Sequence, residues 1–165
     1  RGGDKMRRLM FAIAVALFLG ACTSIDCPVE NNVGTSYMLT KADGTKDTLS
    51  DTLTVLTRQQ SGNDTILLNK SVSTTEFQLP ISYTNDVDTL TFIRKGDGYE
   101  RSDTVWLEKT TLPQFESVDC NLVCFHGVVS VNHTRHGIDS ITINKRRIDY
   151  DSKTEHFHIH FKAGI

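Results

Sequence analysis

Two hydrophobic patterns divide the chain. The first is unbroken: Leu9 to Leu19 reads LMFAIAVALFL, directly behind Met6, Arg7 and Arg8. The second begins past Pro28 and alternates, in short runs rich in Thr, Val, Ile, Leu and Phe. A period of two sends successive side chains to opposite faces of a strand. Nine runs read this way, at 35–41, 52–58, 65–69, 76–79, 89–94, 104–109, 122–132, 140–144 and 157–162. Ala42-Asp43-Gly44, Ser61-Gly62-Asn63-Asp64 and Gly96-Asp97-Gly98 supply turn chemistry between several of them. No stretch downstream of Pro28 carries a convincing helical period. Strands at this spacing without intervening helices predict an all-β fold, an antiparallel β-sandwich with an immunoglobulin-like one among the candidates. An open barrel is the alternative, since pairing order is not written in one sequence. Residues 35–165 form the single β domain, and Trp106, the lone tryptophan, is assigned to its core.

The unbroken run is too short to span a bilayer, which takes about 20 apolar residues, and it suits the h-region of a signal peptide. It ends in Leu19-Gly20-Ala21-Cys22, which resembles the lipobox of bacterial lipoproteins at all four positions. The expectation is a cleaved signal peptide at 1–21, a lipid on Cys22, and a tether at 22–34. Arg1 to Lys5 precede the start expected at Met6. Removing the four basic and one acidic residues of 1–21 leaves 14 basic and 19 acidic, so nucleic acid is not an expected partner. The basic cluster Lys145-Arg146-Arg147 reads as a solvated face.

Export to an oxidising space permits disulfides. Cys27 and Cys120 lie in matched frames, Ser24-Ile25-Asp26-Cys27 and Ser117-Val118-Asp119-Cys120, and are the expected pair. Closing so long a loop would contribute about 4–5 kcal/mol in the chain-entropy model. Cys124 is left over. In an extended segment it would lie roughly 13 Å from Cys120, too far to bridge.

The lipobox with Ser24-Ile25-Asp26-Cys27-Pro28, then Phe115-Glu116-Ser117-Val118-Asp119-Cys120, then His133-Thr134-Arg135-His136-Gly137-Ile138-Asp139-Ser140 resembles a family of Bacteroidetes (Bacteroidales-type) envelope lipoproteins of unknown function. The resemblance spans essentially the whole chain. It implies an envelope address, with the outer membrane as the expected location, and a single β domain. It implies no catalytic residues.

The chemistry-bearing patterns are few. Asp followed by Thr or Ser and an aliphatic residue recurs at Asp47-Thr48-Leu49, Asp51-Thr52-Leu53, Asp64-Thr65-Ile66, Asp88-Thr89-Leu90, Asp103-Thr104-Val105 and Asp139-Ser140-Ile141. Structurally, Asp would end a turn, Thr open a strand, and the aliphatic residue enter the core. The pattern also resembles the O-glycosylation sequon of exported Bacteroidetes proteins, which makes Thr48, Thr52, Thr65, Thr89, Thr104 and Ser140 candidate sites. In Glu155-His156-Phe157-His158-Ile159-His160-Phe161, alternation places His156, His158 and His160 on one face and Phe157, Ile159 and Phe161 on the other. The apolar face belongs in the core and the histidines toward solvent. An H-x-H pair on a strand is also a zinc geometry, which His126, His133 or His136 could complete. His133, His136, Asp139 and Ser140 hold the letters of a hydrolase triad, but without a nucleophile elbow they read as a turn.

The preferred reading is a non-enzymatic, lipid-anchored protein that binds another envelope component, an outer-membrane protein or its assembly machinery. No cofactor beyond the lipid is expected. The alternative is a zinc carrier or hydrolase built on the histidine strand. A glycan-binding module is a third class, disfavoured by a single tryptophan and few exposed-looking aromatics.

Overall fold

A computed structural model of the chain describes residues 33–58, 62–114, 123–151 and 153–163. They form ten strands: β1 (Gly34–Leu39), β2 (Thr52–Arg58), β3 (Asp64–Ser71), β4 (Glu76–Pro80), β5 (Val87–Gly96), β6 (Tyr99–Gln114), β7 (Val123–His133), β8 (Ile138–Ile143), β9 (Arg147–Ile148) and β10 (Phe157–Phe161). One sheet has the order β4-β1-β10-β8 and the other β3-β2-β5-β6-β7-β9. The two pack face to face, so the expected all-β sandwich is the architecture. The pairing order is not the ABED and CFG of constant immunoglobulin domains. The pairs are antiparallel except β1 with β10, which run parallel. All nine expected strands are present. The two-residue β9 was not foreseen, and β6 runs to 16 residues, well past its expected six.

Alternation explains the core. Tyr37 on β1 is registered with Phe77 of β4 on one side and Phe157 of β10 on the other. The three rings stack along that row, with centroids 4.9 and 5.1 Å apart. Phe92 closes on them edge-on from the facing sheet, 6.3 Å from Tyr37. Each such pair contributes about 0.5–1.5 kcal/mol beyond its buried area. Leu53, Val55, Leu90, Val105 and Leu107 complete the facing layer.

The β5–β6 hairpin turns through Asp97-Gly98, where Gly98 has φ +75°, a backbone state that favours glycine. At Gly96 the constraint is space. A Cβ there would lie 2.5 Å from the Tyr99 ring and 2.8 Å from Asp51 Oδ1.

On the inner face β5 presents Asp88, Leu90, Phe92 and Arg94, and β6 presents Asp103, Val105, Leu107 and Lys109; all eight are buried. This corrects the reading of the Asp-Thr-aliphatic pattern. Asp88 and Asp103 do not end turns. They lie within strands and face inward in phase with the aliphatic residue two positions on. It also corrects Trp106, which is out of phase with Val105 and Leu107 and is 39% exposed on the outer face. Phe157 and Ile159 are buried as expected, whereas Phe161 is half-buried. His156 is not solvent-facing but 1% exposed.

Candidate functional site

The inner face of β5 and β6 is apolar in the middle and charged at both ends. At one end, Arg94 donates to the Lys162 carbonyl at 2.6 Å and to the Tyr99 hydroxyl at 3.0 Å. Its Nε forms an ion pair with Asp51 Oδ2 at 3.0 Å, at an angle too bent for a hydrogen bond, and Tyr99 donates to the same oxygen. Beside it, the Asp103 carboxylate accepts four bonds. Thr134 Oγ1 and the His136 amide reach Oδ1, both at 2.7 Å, and the amides of Gly137 and Ile138 reach Oδ2 at 2.6 and 2.8 Å. Burial alone would raise the pKa of Asp103, but these bonds outweigh it and hold the carboxyl below its ordinary range. The His133–Ser140 segment is therefore a turn clasped by Asp103. Among the described residues, neither Asp139 nor Ser140 bonds His133 or His136, so the triad letters are not brought together.

At the opposite end the Lys109 side chain is fully enclosed. Its Nζ lies 3.3 Å from Asp88 Oδ2 and donates to the Asn85 carbonyl. Asp88 also accepts the Ser82 amide at 3.2 Å. Here burial prevails over that bond and over the Lys109 charge, and the Asp88 pKa is raised. His126 is buried nearby, with Nδ1 3.4 Å from the Thr111 hydroxyl and Nε2 without a partner among the described residues. Burial, then the Lys109 charge, lower its pKa. Cys124, two residues away, has a free thiol. A cleft of about 370 Å³ opens between the sheets at this end, with Asp88, Leu90 and Leu107 among its lining and the Thr57 and Thr65 hydroxyls toward its mouth. Thr57 already donates to the Thr89 carbonyl at 2.9 Å, so part of that polarity is spent on the fold.

The histidine strand is mainly a fastening. The Ser36 amide donates to His156 Nδ1 at 3.0 Å, and the Ser36 hydroxyl lies 2.8 Å from the same nitrogen. Nδ1 is thus an acceptor and the neutral ring carries its proton on Nε2. Burial first, then the Lys145 charge, lower the His156 pKa, against the Arg147 backbone, Asp149 and Asp151. His160 Nδ1 donates to the Thr40 carbonyl at 2.8 Å. His158 is half-buried. Among the described residues, no group of three or more His, Cys, Asp or Glu is placed to hold a metal. The basic cluster has a structural part too. Lys145 pairs with Asp149 and Asp151, Arg147 with Asp149, and Arg146 donates to the carbonyls of Val128 and Val129.

The outer face of the six-stranded sheet differs from all of these. Trp106 projects from mid-β6, flanked in register by Thr89 of β5 and Asn132 of β7. Toward β9 the same face is covered, where Tyr150 packs edge-on to Phe125 at 5.0 Å and Arg147 stands over that ring. Trp106, by contrast, is 39% exposed. Sequence reasoning placed Trp106 by its size; the usable signal was its phase, shared with Thr104 and Glu108.

Of the sequon hydroxyls, those of Thr48 and Thr89 belong to exposed residues, and those of Thr52, Thr65, Thr104 and Ser140 to half-buried ones. Thr104 lies within β6 rather than at a strand entrance. Cys22, Cys27 and Cys120, with the lipobox and tether up to residue 32, lie outside the described residues.

The model of a family of unknown function, DUF6452, matches residues 52–161, two thirds of the chain. The chain belongs to the DUF6452 family. The matched DUF6452 region runs from β2 through β10 and leaves out β1, the strand that fills the place between β4 and β10. No curated protein and no solved structure matches.

Proposed function

We propose that this DUF6452 protein is a lipid-anchored envelope lipoprotein whose sandwich is a non-enzymatic binding module, docking another envelope component on the outer face of its six-stranded sheet. The observation that carries the reading is the exposed Trp106 in the middle of that face. A large aromatic left in water is a weak contributor to the fold and a strong one to an interface. The interior polar groups support the reading, since Asp103, Arg94, Asp51, Lys109 and Ser36 each have a structural partner. The lipobox at Cys22 supports the anchor, and the sequon pattern at Thr48 supports exposure to an envelope glycosylation system.

A photo-cross-linking amino acid placed at position 106 in cells tests the docking face. A discrete adduct should form there and not from the same group at Gln78, exposed on β4 of the other sheet. Equal labelling from both positions, or none from 106, defeats the proposal. Cys22→Ala should release the protein from the membrane fraction or leave it unprocessed.

A further inference from the structure

We infer that the Trp106 face binds an uncharged sugar ring, so that the envelope component is a neutral glycan. This rests on the docking reading above and names its partner.

The nearest neighbours of Trp106 carry the chemistry of a sugar site. Thr89 and Asn132 stand directly opposite Trp106 on the two adjoining strands and are both exposed. Two strand spacings make that row about 10 Å across, the width of a flat ring with substituents on either side. The Thr89 hydroxyl and the Asn132 amide bond no other described residue. They leave three donor hydrogens and two acceptor oxygens flanking an apolar plane. Along β6, Thr104 and Glu108 lie two positions away on the same face, and Thr104 is opposite Thr91. A pyranose has the matching form: an apolar C–H face to lie on the indole and a rim of hydroxyls to reach Thr89 and Asn132.

Charge narrows the class. Among these neighbours the ionisable group is Glu108, already accepting the Ser130 hydroxyl at 2.8 Å. The next residue across the sheet is Arg58 at the end of β2, already paired with Asp64 at 3.3 Å. One carboxylate and no unpaired cation disfavour phosphate, sulfate and uronate groups, and with them anionic lipid and nucleic acid. A protein contact would instead call for apolar continuity around the tryptophan. Here hydroxyl and amide groups take those places, with Val87 the nearest exposed aliphatic, opposite Glu108.

Trp106 is the chain's one tryptophan, so its fluorescence reports this site alone. The purified protein should be titrated with neutral tetrasaccharides of glucose, galactose, mannose and N-acetylglucosamine. At least one should give a saturable emission shift. Saturation-transfer NMR then reads the same sugar on Trp106→Ala, which has no indole, and on Thr89→Val and Asn132→Ala. The signal should vanish in the first and the affinity fall several-fold in the others, with thermal melts confirming that each is folded. A shift with phosphatidylethanolamine–phosphatidylglycerol vesicles and none with sugar would make Trp106 a membrane-resting side chain and overturn the inference. A protein adduct at position 106 with no sugar response would overturn the glycan and leave the docking reading standing. No sugar response and no adduct would remove both.

Discussion

The two charged ends of the sandwich bury the same kinds of group and treat them differently. At the Asp103 end each Asp103 oxygen accepts two bonds, and Asp51 Oδ2 accepts the Tyr99 hydroxyl and forms an ion pair with Arg94. At the Asp88 end one ion pair at 3.3 Å and one amide serve a carboxylate beside a cleft, and a buried imidazole goes without a partner for Nε2. The acidities follow, with Asp103 held below its ordinary range and Asp88 raised above it. Burial is common to both, so the number and geometry of donors decides which sign results. The first end is a clasp that fixes a turn, and the second tolerates a poorly compensated charge.

The comparison can be broken most forcefully at Asp103. Asp103→Ala strands three backbone amides and the Thr134 hydroxyl, and should cost about 3–5 kcal/mol in urea unfolding. A loss under 1 kcal/mol would show that the turn finds other acceptors. Next comes Lys109→Met, which leaves Asp88 without its cation, for roughly 2–4 kcal/mol. Adding Asp88→Leu should return most of that loss, since a buried pair replaced whole by apolar residues is often neutral.

Acid sharpens the contrast. His126 and His156 have lowered pKa values in the fold, so unfolded chains bind more protons below about 6.5. Their contribution is complete above that pH and is lost as the pH falls through it, by at most about 1.4 kcal/mol per pH unit for each ring. His126→Gln should flatten that limb in urea melts at pH 7.5, 6.5 and 5.5. The two aspartates act lower and with opposite sense. Asp103 stabilises above the carboxylate pKa of the unfolded chain and loses this as the pH falls through its lowered folded value. Asp88 is most favourable when protonated and less so as the pH rises through its raised value. The smallest effect belongs to Trp106→Ala, at no more than about 1 kcal/mol, because the face it leaves is already wet. A larger loss would mean that the indole serves the fold.

The strands were legible wherever the inward side chains are apolar. β5 and the middle of β6 show their period directly through Leu90, Phe92, Val105 and Leu107. The first half of β6 did not, because Asp103 reads as the end of a turn until four donors converge on its carboxylate. β9 has two residues and no period to detect. His156 lies one residue before β10, outside its alternation, and is buried because Ser36 on β1 and the segment after β8 both bond it, a proximity set by pairing order. The candidate face was legible in part: the phase of Trp106 is written in the sequence, and its register with Thr89 and Asn132 is not.

The parallel pairing of β1 with β10 has a kinetic consequence. It joins Ser36 to His156, 120 residues apart, while β5, β6 and β7 close through adjacent antiparallel pairs. Near-neighbour hairpins form in microseconds, whereas contacts this distant wait on the slow closure of the whole chain. A chain emerging amino end first could pair β1 with β4 early but would leave its other edge open until β10 arrived. During that interval the open edge would be exposed to self-association, which places a demand for a holding chaperone on the first strand rather than on the long central ones.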